Sequence, residues 1–404
     1  MRVVSARWVI PIERPPLADA AIALEDDGTI RAVGPRDDVR AAFPGAPEEQ
    51  AQGVLVPGLV NAHSHLELSA LAGAVPGGQG VVLWTRRLMK CVVETSHEVR
   101  QQAALDAACA AVRLGTAAIG DVGNSLDGVP AIGEAGLCGM LFHELVGSRE
   151  TATGDALADA GREHAQLAPR WPPALGYVPA PHAPYSVGPQ LMRRIFAAAA
   201  ATGHATAVHV AEDPDEIALL RDCTGRWPDV LRAMGIDPTT RSPGRSPVAY
   251  LAELGAFGGP KPPLLVHMVH ADARDRQLAR DAGATVVLCP RSNLHIGGRL
   301  ADVPRLLEDG VTLAVGTDSL ASSPDLSLWG ELAVLAAHFP SVPAAHWLEA
   351  ATRNGARALG LTAHGALMPG KRPGVLDVLV EDMNAPLESL VRDASPSLRW
   401  VARP

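Results

Sequence analysis

The feature of this sequence that most restricts its fold is a series of eight short apolar runs, each ending in polar or glycine-rich residues. The runs are VLVPGLVNAHSH, TAAIGDV, GMLFHELVG, ALGYVPAPHAP, TAVHVAE, LLVHMVH, TVVLCPRSN and TLAVGTDS. Alanine-rich segments with helical periodicity lie between most of them, at 98–114, 190–203, 272–283 and 303–310. Such alternation is typical of an α/β fold of the (β/α)8 TIM-barrel type, in which parallel strands are covered on both faces.

The alternative to a barrel is an open, doubly wound sheet. No GxGxxG follows the first run, and polar residues end every run instead of gathering at one switch point. We therefore predict a TIM-barrel catalytic domain over residues 54–364. Two connections are long, one after the first strand and one at 212–263, and we expect them to form lids or substrate loops on the catalytic face.

The two ends of the chain follow a different pattern. Within residues 1–53, AAIALEDDGTIRAVG alternates apolar and polar residues around a turn at Asp27-Gly28, which predicts a hairpin. Residues 365–404 contain short strand-like segments of the same style. Because neither end has enough apolar sequence to fold alone, we predict that 1–53 and 365–404 pair into one small β-sandwich domain.

Composition restricts the partners. The chain has 404 residues and a net charge of -9, so a nucleic-acid-binding surface is not expected. No apolar run reaches about 18 residues, so no membrane partner is expected. Five scattered cysteines without a CxxC pair favour free thiols in a reducing cytoplasm. We expect a cytoplasmic protein that acts on a small molecule, with a homo-oligomer left open.

Residues of the kind that bind metals end four of the eight runs. They are His63 and His65 in the first run, His209 in the fifth, His267 and His270 in the sixth, and Asp318 in the eighth. The carboxyl ends of barrel strands meet at one mouth, so these side chains are expected to converge. The spacing of two in His63-Ser64-His65 places both imidazoles on one side of a strand. Three histidines and one carboxylate suit zinc or ferrous iron.

Each of these candidate metal-binding residues also has an explanation that involves no metal. An HxH pair arises by chance or within a core, and a single histidine such as His209 is often structural. The segment GTDS is also compatible with Asp318 capping a helix. The occurrence of metal-binding residue types at the ends of strands one, five, six and eight together favours a site.

The sequence resembles the amidohydrolase superfamily over essentially its whole length. The matching segments are PGLVNAHSHLE, VHVAED, LLVHMVH, CPRSN, VGTDS and GALMPGK. The resemblance implies one divalent metal ion held by His63, His65, His209 and Asp318. It also implies that Glu212 shuttles a proton and that His267 lies near the reacting water or the substrate.

The lysine count favours one metal ion over two. Binuclear members of the superfamily use a carboxylated lysine at the end of the fourth strand. The only lysines here are Lys90, Lys261 and Lys371, and the fourth run ends Pro-Ala-Pro-His182. We predict zinc as the metal, with iron as the alternative that the same ligands permit.

The expected chemistry is hydrolysis by an activated water. Bound zinc lowers the pKa of water from 15.7 to roughly 7. We expect Asp318 to take a proton from that water and Glu212 to carry one to a ring nitrogen or leaving amine. We expect His267 to stabilise the developing charge; proton transfers of this kind contribute about 10²- to 10⁴-fold in rate.

Further segments narrow the substrate. The segment PAPHAPYSVGP is similar to the fourth-strand loop of S-adenosylhomocysteine and methylthioadenosine deaminases, which implies that His182 contacts a nucleoside. A buried, hydrogen-bonded histidine in a proline-rich loop is the structural alternative. NAHSHLELSAL, FHELVG and AEDPDEIALLRDCTGRWPDVLRAMG are similar to aminodeoxyfutalosine deaminases of the menaquinone pathway.

This resemblance implies roles for other residues. Glu67 is then placed near ribose or base, and Trp84 is suited to stacking on an aromatic ring. A benzoate on the substrate calls for an arginine, for which the candidates are Arg149, Arg226 and Arg86. One departure is Cys223, which stands where a glycine is expected in a substrate-facing loop.

The predicted function is a metal-dependent hydrolytic deaminase of a 6-aminopurine nucleoside, with aminodeoxyfutalosine as the first choice. The alternatives are a deaminase of another purine nucleoside or base, a hydrolase of a cyclic amide or carbamate, and a catalytically inactive structural relative. The complete set of ligands and Glu212 argue against the inactive relative.

Overall fold

The computed structural model describes residues 1–147 and 155–404. Its strands are β1 (Arg2–Val9), β2 (Leu17–Leu24), β3 (Ile30–Pro35), β4 (Glu48–Gln50), β5 (Val54–Pro57), β6 (Leu59–Ser64), β7 (Thr116–Gly123), β8 (Cys138–Leu145), β9 (Leu175–Pro181), β10 (Ala207–Val210), β11 (Leu264–His267), β12 (Thr285–Leu288), β13 (Thr312–Val315), β14 (Val375–Val378) and β15 (Leu398–Ala402).

The α-helices alternate with strands through the middle of the chain. They are α1 (Arg36–Ala42), α2 (Val81–Glu94), α3 (His97–Arg113), α4 (Val129–Glu134), α5 (Ala156–Leu167), α6 (Pro189–Thr202), α7 (Pro214–Asp222), α8 (Trp227–Ala233), α9 (Pro247–Glu253), α10 (Ala273–Asp281), α11 (Pro290–Gly297), α12 (Val303–Glu308), α13 (Leu328–His338), α14 (Ala344–Glu349), α15 (Gly355–Ala358) and α16 (Pro386–Arg392). Short 3₁₀ helices occupy Leu66–Leu71, Ala168–Arg170 and Pro238–Arg241, and a π-helix occupies Ala350–Asn354.

The middle of the chain forms two parallel four-stranded sheets. One sheet has the order β6-β7-β8-β9 and the other β10-β11-β12-β13. All eight apolar runs of the sequence form these strands, and every residue of β7 is buried, as expected for strands covered on both faces. The predicted α/β fold with parallel strands is therefore confirmed.

Backbone contacts join the two sheets at both seams. The amide of His209 on β10 donates to the carbonyl of His182, just after β9, at 2.9 Å. At the other seam the amide of Thr317 donates to the carbonyl of His63 at 3.0 Å, and Ser64 forms a parallel bridge with Asp318. The carboxyl ends of β6, β9, β10 and β13 consequently meet at one mouth.

The two ends of the chain share one sheet. Its order is β15-β14-β5-β1-β2-β3, with β4 also beside β1, and β14 pairs antiparallel with β5. The predicted hairpin is β2–β3, with Leu24 opposite Ile30 and Gly28 at a positive φ of 86° that other residues rarely adopt. The two ends of the chain therefore contribute to one small β-domain of seven hydrogen-bonded strands, as predicted, and its sandwich form stays a prediction.

The sheet also contains residues that the sequence placed in the barrel segment. Residues 54–57 form β5, which pairs with β1 and β14 before the chain enters β6. The domain boundaries at 53/54 and 364/365 stay a prediction. Within the described residues, no helix has both the length and the apolar character needed to cross a bilayer.

The long connections after β6 and β10 contain helices of their own. The first holds the 3₁₀ helix Leu66–Leu71 with α2 and α3, and the second holds α7, α8, Pro238–Arg241 and α9. Because they follow the carboxyl ends of their strands, both begin on the side of the molecule where the predicted site residues lie.

One buried carboxylate links the two ends of the chain, and its removal is expected to destabilise the protein. Asp377 on β14 is 2% exposed and accepts bonds from the amides of Gln52 (3.1 Å) and Gly53 (2.7 Å) and from Arg399 Nε (3.0 Å). Asp377→Ala leaves these donors unpaired, so the free energy of unfolding should fall by about 1–3 kcal/mol in urea denaturation. Glu381→Ala, at an exposed carboxylate nearby, is the control and should change it by less than about 0.5 kcal/mol. Equal effects would contradict the assigned link.

Candidate metal centre

The four predicted metal ligands lie together at the mouth. His65 Nε2 is 3.3 Å from His209 Nε2 and 3.7 Å from Asp318 Oδ1, and His63 Nε2 is 3.9 Å from Asp318 Oδ1. One nitrogen from each of His63, His65 and His209 lies within 4.8 Å of the others. A second group of three potential metal ligands, also within 4.8 Å of one another, consists of His63, His267 and Asp318. Because His63 belongs to both groups, the four predicted ligands are neighbours in the mouth, and their binding of one common ion stays a prediction.

The chain around His65 is fixed by a residue of the neighbouring strand. Asp121 on β7 accepts bonds through Oδ1 from Ser64 Oγ (2.8 Å) and from the amide of Leu66 (2.9 Å). These bonds hold the backbone on both sides of His65. Burial raises the pKa of Asp121 to about 7, although the bonds from Leu66 and Ser64 lower it.

The pleat of β10 directs His209 away from the core. Val208 and Val210 pack in an apolar cluster with Leu220 and Val248 of the helices that follow. Since neighbouring side chains of a strand point to opposite faces, His209 is directed to the other face. There its ring lies 4.9 Å from that of His63, measured between ring centroids.

Asp318 is held against His63 by a tight approach of two chain segments. A Cβ on Gly316 would lie 2.7 Å from the Cβ of His63, so this position requires glycine. Asp318 itself has a φ of 58°, in the left-handed region that non-glycine residues enter at a cost of about 1–3 kcal/mol. Strain of this kind persists where the surrounding contacts fix the backbone, here the amides of Thr317 and Asp318 donating to the His63 carbonyl.

The residues present fit a divalent cation. His63 is fully buried, and neither of its ring nitrogens has a hydrogen-bond partner among the described residues. Burial, with the neighbouring histidines, lowers the pKa of His63 well below its usual value, so its ring is neutral. A buried lone pair without a partner is costly, and a cation among the four ligands would pair it.

The charges of the site also call for a cation. Burial raises the pKa of Asp318, but His65, His267 and the Ser292 hydroxyl lower it more, so the carboxylate stays ionised. Ser292 Oγ donates to Asp318 Oδ2 at 2.5 Å and the Ser319 amide donates to Oδ1 at 2.8 Å. Burial lowers the pKa of His209, yet surrounding carboxylates raise it to about 9. Without a metal, this ring takes up a proton that a bound cation would displace.

Glu144, at the end of β8, contacts His209 through the ring nitrogen Nδ1. Its Oε1 lies 3.3 Å from His209 Nδ1, which also faces the His182 carbonyl at 3.0 Å. Burial raises the pKa of Glu144, but His182, His209 and His65 lower it to about 2. A carboxylate that accepts from Nδ1–H leaves Nε2 free to bind a metal and fixes the ring. Sequence reasoning did not assign this residue, although its place at a strand end was a signal.

Glu212 and His267 form a pair beside the ligands. Glu212 Oε1 is 3.6 Å from His267 Nε2, and the Asn293 amide nitrogen is 3.0 Å from His267 Nδ1. Because an amide nitrogen only donates, His267 Nδ1 accepts and Nε2 carries the hydrogen. Burial lowers the pKa of His267 to about 3, so the ring is a neutral donor aimed at Glu212. Asn293 was missed by the sequence analysis.

The carboxyl group of Glu212 is kept protonated. Burial raises its pKa to about 8, opposed by His209 and assisted by Asp318, Glu216 and Asp213. The buried Glu216 fixes the turn by accepting the amides of Ala211 and Glu212, each at 3.0 Å. At neutral pH Glu212 is thus in the form that can give a proton to another group.

His182 and Glu67 lie near the mouth in different roles. The His182 ring centroid is 5.0 Å from that of His209, and His182 Nδ1 contacts Ser186 Oγ at 2.6 Å. Both oxygens of the buried Glu67 accept bonds, one from the Asn124 amide and the other from the amide and hydroxyl of Ser125. Glu67 therefore anchors the loop after β7, and its predicted contact with substrate stays a prediction, as does that of His182.

The remaining predicted substrate residues that the structure describes make other contacts. Trp84 on α2 is 8% exposed and packs in an apolar cluster with Tyr185 and Trp227. Arg149 lies outside the described residues. Arg226 is paired with Asp215, and Arg86 is exposed on α2.

Cys223, which stands where a glycine is expected, has a backbone conformation that favours glycine. Cys223 ends α7 with a φ of 56°, in the left-handed region where glycine is favoured. Its amide donates to the Leu219 carbonyl at 3.0 Å. The expected glycine would therefore suit the backbone at this position, which cysteine occupies at a cost.

The fold and the site together define a hydrolytic enzyme. Residues 54–395 match the amidohydrolase family, and residues 26–46 match an imidazolonepropionase-like composite domain of bacteria. The chain therefore belongs to the amidohydrolase family. It is a hydrolase of carbon–nitrogen bonds other than peptide bonds.

Among its relatives are several deaminases. An aminodeoxyfutalosine deaminase of Deinococcus radiodurans is 33% identical over 345 residues, covering 82% of this chain and 79% of that protein. A 5-methylthioadenosine/S-adenosylhomocysteine deaminase of Moorella thermoacetica is 29% identical and covers 98% of this chain and 89% of that protein.

Solved structures of similar fold include two further deaminases. The Helicobacter pylori aminofutalosine deaminase in complex with methylthio-coformycin has a TM-score of 0.86 at 21% identity, covering 98% of this chain and 97% of the other. An adenosine deaminase of Xanthomonas campestris with bound zinc has a TM-score of 0.79 at 26% identity, covering 97% and 89%.

We expect purified protein to hold close to one divalent metal per chain. His63→Ala and Asp318→Ala should each reduce the metal content to near zero, because a ligand set with one member removed loses most of its affinity. His346→Ala, at an exposed histidine, is the control and should keep the metal. Elemental analysis that finds two metals per chain, or none in active protein, would contradict the mononuclear site.

Glu144→Gln should weaken metal binding while leaving all four ligands in place. The neutral amide keeps the size of the side chain but supports the His209 ring less well, so affinity in a chelator competition should fall about 10- to 100-fold. Glu163→Gln, at an exposed carboxylate of α5, is the matched control. If both variants hold metal as tightly as the unmodified protein, Glu144 does not orient His209.

Proposed function

We propose that this protein is a zinc-dependent hydrolytic deaminase of a 6-aminopurine nucleoside, with aminodeoxyfutalosine of the menaquinone pathway as substrate. The observation that carries the proposal is the pair of Glu212 and His267, in which Glu212 Oε1 lies 3.6 Å from His267 Nε2 beside the ligand cluster. Burial raises the pKa of Glu212 to about 8 and lowers the pKa of His267 to about 3. Deamination of a purine requires proton delivery to a ring nitrogen and to the leaving amine, which such a pair is suited to provide. The deaminase relatives support the substrate class.

One zinc ion per chain is proposed, held by His63, His65, His209 and Asp318. When bound there, zinc supplies a water of lowered pKa at neutral pH. The absence of a lysine at the end of β9, where the sequence reads Pro-Ala-Pro-His182, supports one ion over two. The zinc-containing Xanthomonas campestris relative supports zinc, and iron remains the alternative metal for these ligands.

Each catalytic residue has a role that follows from its contacts. Asp318 is ionised and accepts bonds from Ser292 and Ser319, so it is positioned to take a proton from the attacking water. Glu212 delivers its proton to the ring nitrogen, the proton taken up by Asp318 goes to the amine that leaves as ammonia, and the hydroxyl proton of the adduct returns to Glu212. His267, whose Nε2 carries hydrogen, donates to the oxygen that adds to the ring carbon.

The nucleoside is proposed to lie across the mouth between β6 and β9. His182 follows β9 and Glu67 follows β6, and ribose hydroxyls pair with such groups. The second candidate is a deaminase of methylthioadenosine or S-adenosylhomocysteine, which the Moorella thermoacetica relative favours. A hydrolase of a cyclic amide or carbamate comes third.

We also propose that the two parallel sheets close into one (β/α)8 barrel over residues 54–364, with 1–53 and 365–404 as the composite β-domain. The bonds from His209 to His182 and from Thr317 to His63 support closure at both seams. A closed barrel would explain why ligands that are about 250 residues apart in the chain reach one point.

Glu212→Gln should keep the metal and the fold but lose most turnover. The amide has the same shape but cannot carry the proton, so kcat should fall by at least about 10²-fold. Glu134→Gln, at an exposed position of α4, is the control. A Glu212→Gln enzyme that turns over at the unmodified rate would show that the proton travels by another group.

Substrate preference tests the proposed function directly. We expect kcat/KM, read as ammonia release, to be highest for aminodeoxyfutalosine among a panel that also holds methylthioadenosine, S-adenosylhomocysteine, adenosine and adenine. Free adenine leaves the polar groups that would hold a ribose unpaired, which should cost several powers of ten. A preference for adenine, or activity on a lactam or carbamate with none on this panel, would overturn the proposal.

A further inference from the structure

We propose that Arg299 binds a carboxylate at the far end of the substrate, in a cavity that opens beside Glu212. The proposal rests on the proposed function and specifies its substrate as a nucleoside that ends in an anionic group. The cavity has a volume of about 280 Å³, and it is lined by Glu212, Asn293, His270, Arg226, Arg299 and the segment 78–81. Pockets for whole ligands run from about 300 to 1,000 Å³, so this cavity has room for one part of a larger ligand.

The cavity is continuous with the catalytic residues. Glu212 and Asn293 line it, and both contact His267 beside the predicted metal ligands. A substrate whose reacting ring lies against Glu212 therefore has this cavity open to a substituent. The opposite wall is formed by Gly78–Val81 from the long connection after β6, one of the two segments expected to cover the mouth.

Two charged residues of the wall are occupied by structural contacts. Asp213 is 2% exposed, and its carboxylate accepts the amides of Val81 (2.9 Å) and Asp215 (2.8 Å). Arg226 pairs with Asp215 Oδ2 at 2.6 Å and donates to the Gln79 carbonyl at 2.8 Å. These two side chains hold the wall together, and the charge of Arg226 is compensated by Asp215.

Arg299 differs from Arg226 in having no such partner. It follows Gly298, whose φ of 67° ends α11 and turns the chain along the cavity. Arg299 is exposed and forms no ion pair with a carboxylate of the described residues, and its charge contributes, after burial, to lowering the pKa of the neighbouring His270. An uncompensated guanidinium on the wall of a cavity is suited to bidentate binding of a carboxylate.

The other arginines considered from the sequence fit this role less well. Arg226 is already paired, and Arg86 on α2 is not among the residues that line the cavity. Arg299 was not considered from the sequence because it follows the CPRSN segment by several residues and belongs to no recognised motif. Its place beside Glu212 follows only from the packing of α11 against the mouth.

Steady-state kinetics of two substrates test the proposal. Arg299→Gln should raise KM for aminodeoxyfutalosine, which ends in a carboxylate, about 10-fold with kcat nearly unchanged, while kcat/KM for methylthioadenosine, which lacks one, should stay within about 2-fold. Arg299→Lys should restore part of the affinity, since it keeps the charge but not the paired donors. Arg305→Gln, at an exposed arginine of α12 that does not line the cavity, is the control and should affect neither substrate. An equal loss for both substrates, or no loss for either, would overturn the assignment.

Binding of benzoate gives a readout that is independent of turnover. The unmodified protein and Arg305→Gln should bind benzoate in calorimetric titration, and Arg299→Gln should lose at least about 10-fold in affinity. If the unmodified enzyme deaminates neither nucleoside, the proposed function fails while this titration still decides the role of Arg299. Absence of benzoate binding to the unmodified protein, or equal binding to Arg299→Gln, would contradict the subsite.

Discussion

The structure depends on the convergence of ionisable side chains in a buried mouth. His63, His65, His209 and Asp318 come from three strand ends and are each less than a tenth exposed. Such a cluster is costly when its lone pairs and charges have no partner, and His63 has none among the described residues. A divalent cation would compensate it, so the binding energy of the metal contributes to the stability of the same loops that catalysis requires.

Several residues around the cluster have an unfavourable backbone conformation. His267, Asp318 and Ala211 all have positive φ values, which are unfavourable for residues other than glycine. Each lies at the end of a strand, where the chain turns into a loop of the mouth. Hydrogen bonds with residues outside the ligand set hold these three residues. Ser292 donates to Asp318, Asn293 donates to His267, and the amide of Ala211 donates to Glu216. The same bonds fix the side-chain orientations on which the proposed proton transfers depend.

Much of the fold and the convergence of the candidate ligands could be predicted from the sequence. Eight apolar runs with polar ends predict parallel strands because burial on both faces requires continuous apolar sequence. The spacing of His63 and His65, and the positions of His209 and Asp318 at strand ends, predict convergence because parallel strands share one carboxyl edge. These features are local, so a single sequence contains them.

Other features depend on packing between distant segments and could not be predicted. The support of His209 by Glu144 and the use of Glu67 to anchor residues 124–125 depend on distances between side chains. The pairing of residues 54–57 with both β1 and β14 depends on contacts between strands from the two ends of the chain. The uncompensated charge of Arg299 appears only when its neighbours in space are known.

The central claim is that one metal ion lies among His63, His65, His209 and Asp318. Anomalous diffraction from crystals of the purified protein, recorded above and below the zinc absorption edge, locates such an ion without reference to activity. The account predicts a single peak per chain within bonding distance of those three imidazoles and that carboxylate, about 2.0–2.2 Å from each. A peak held instead by Glu144, His182 and His209, which form another candidate group beside the site, or two peaks in one mouth, would contradict it.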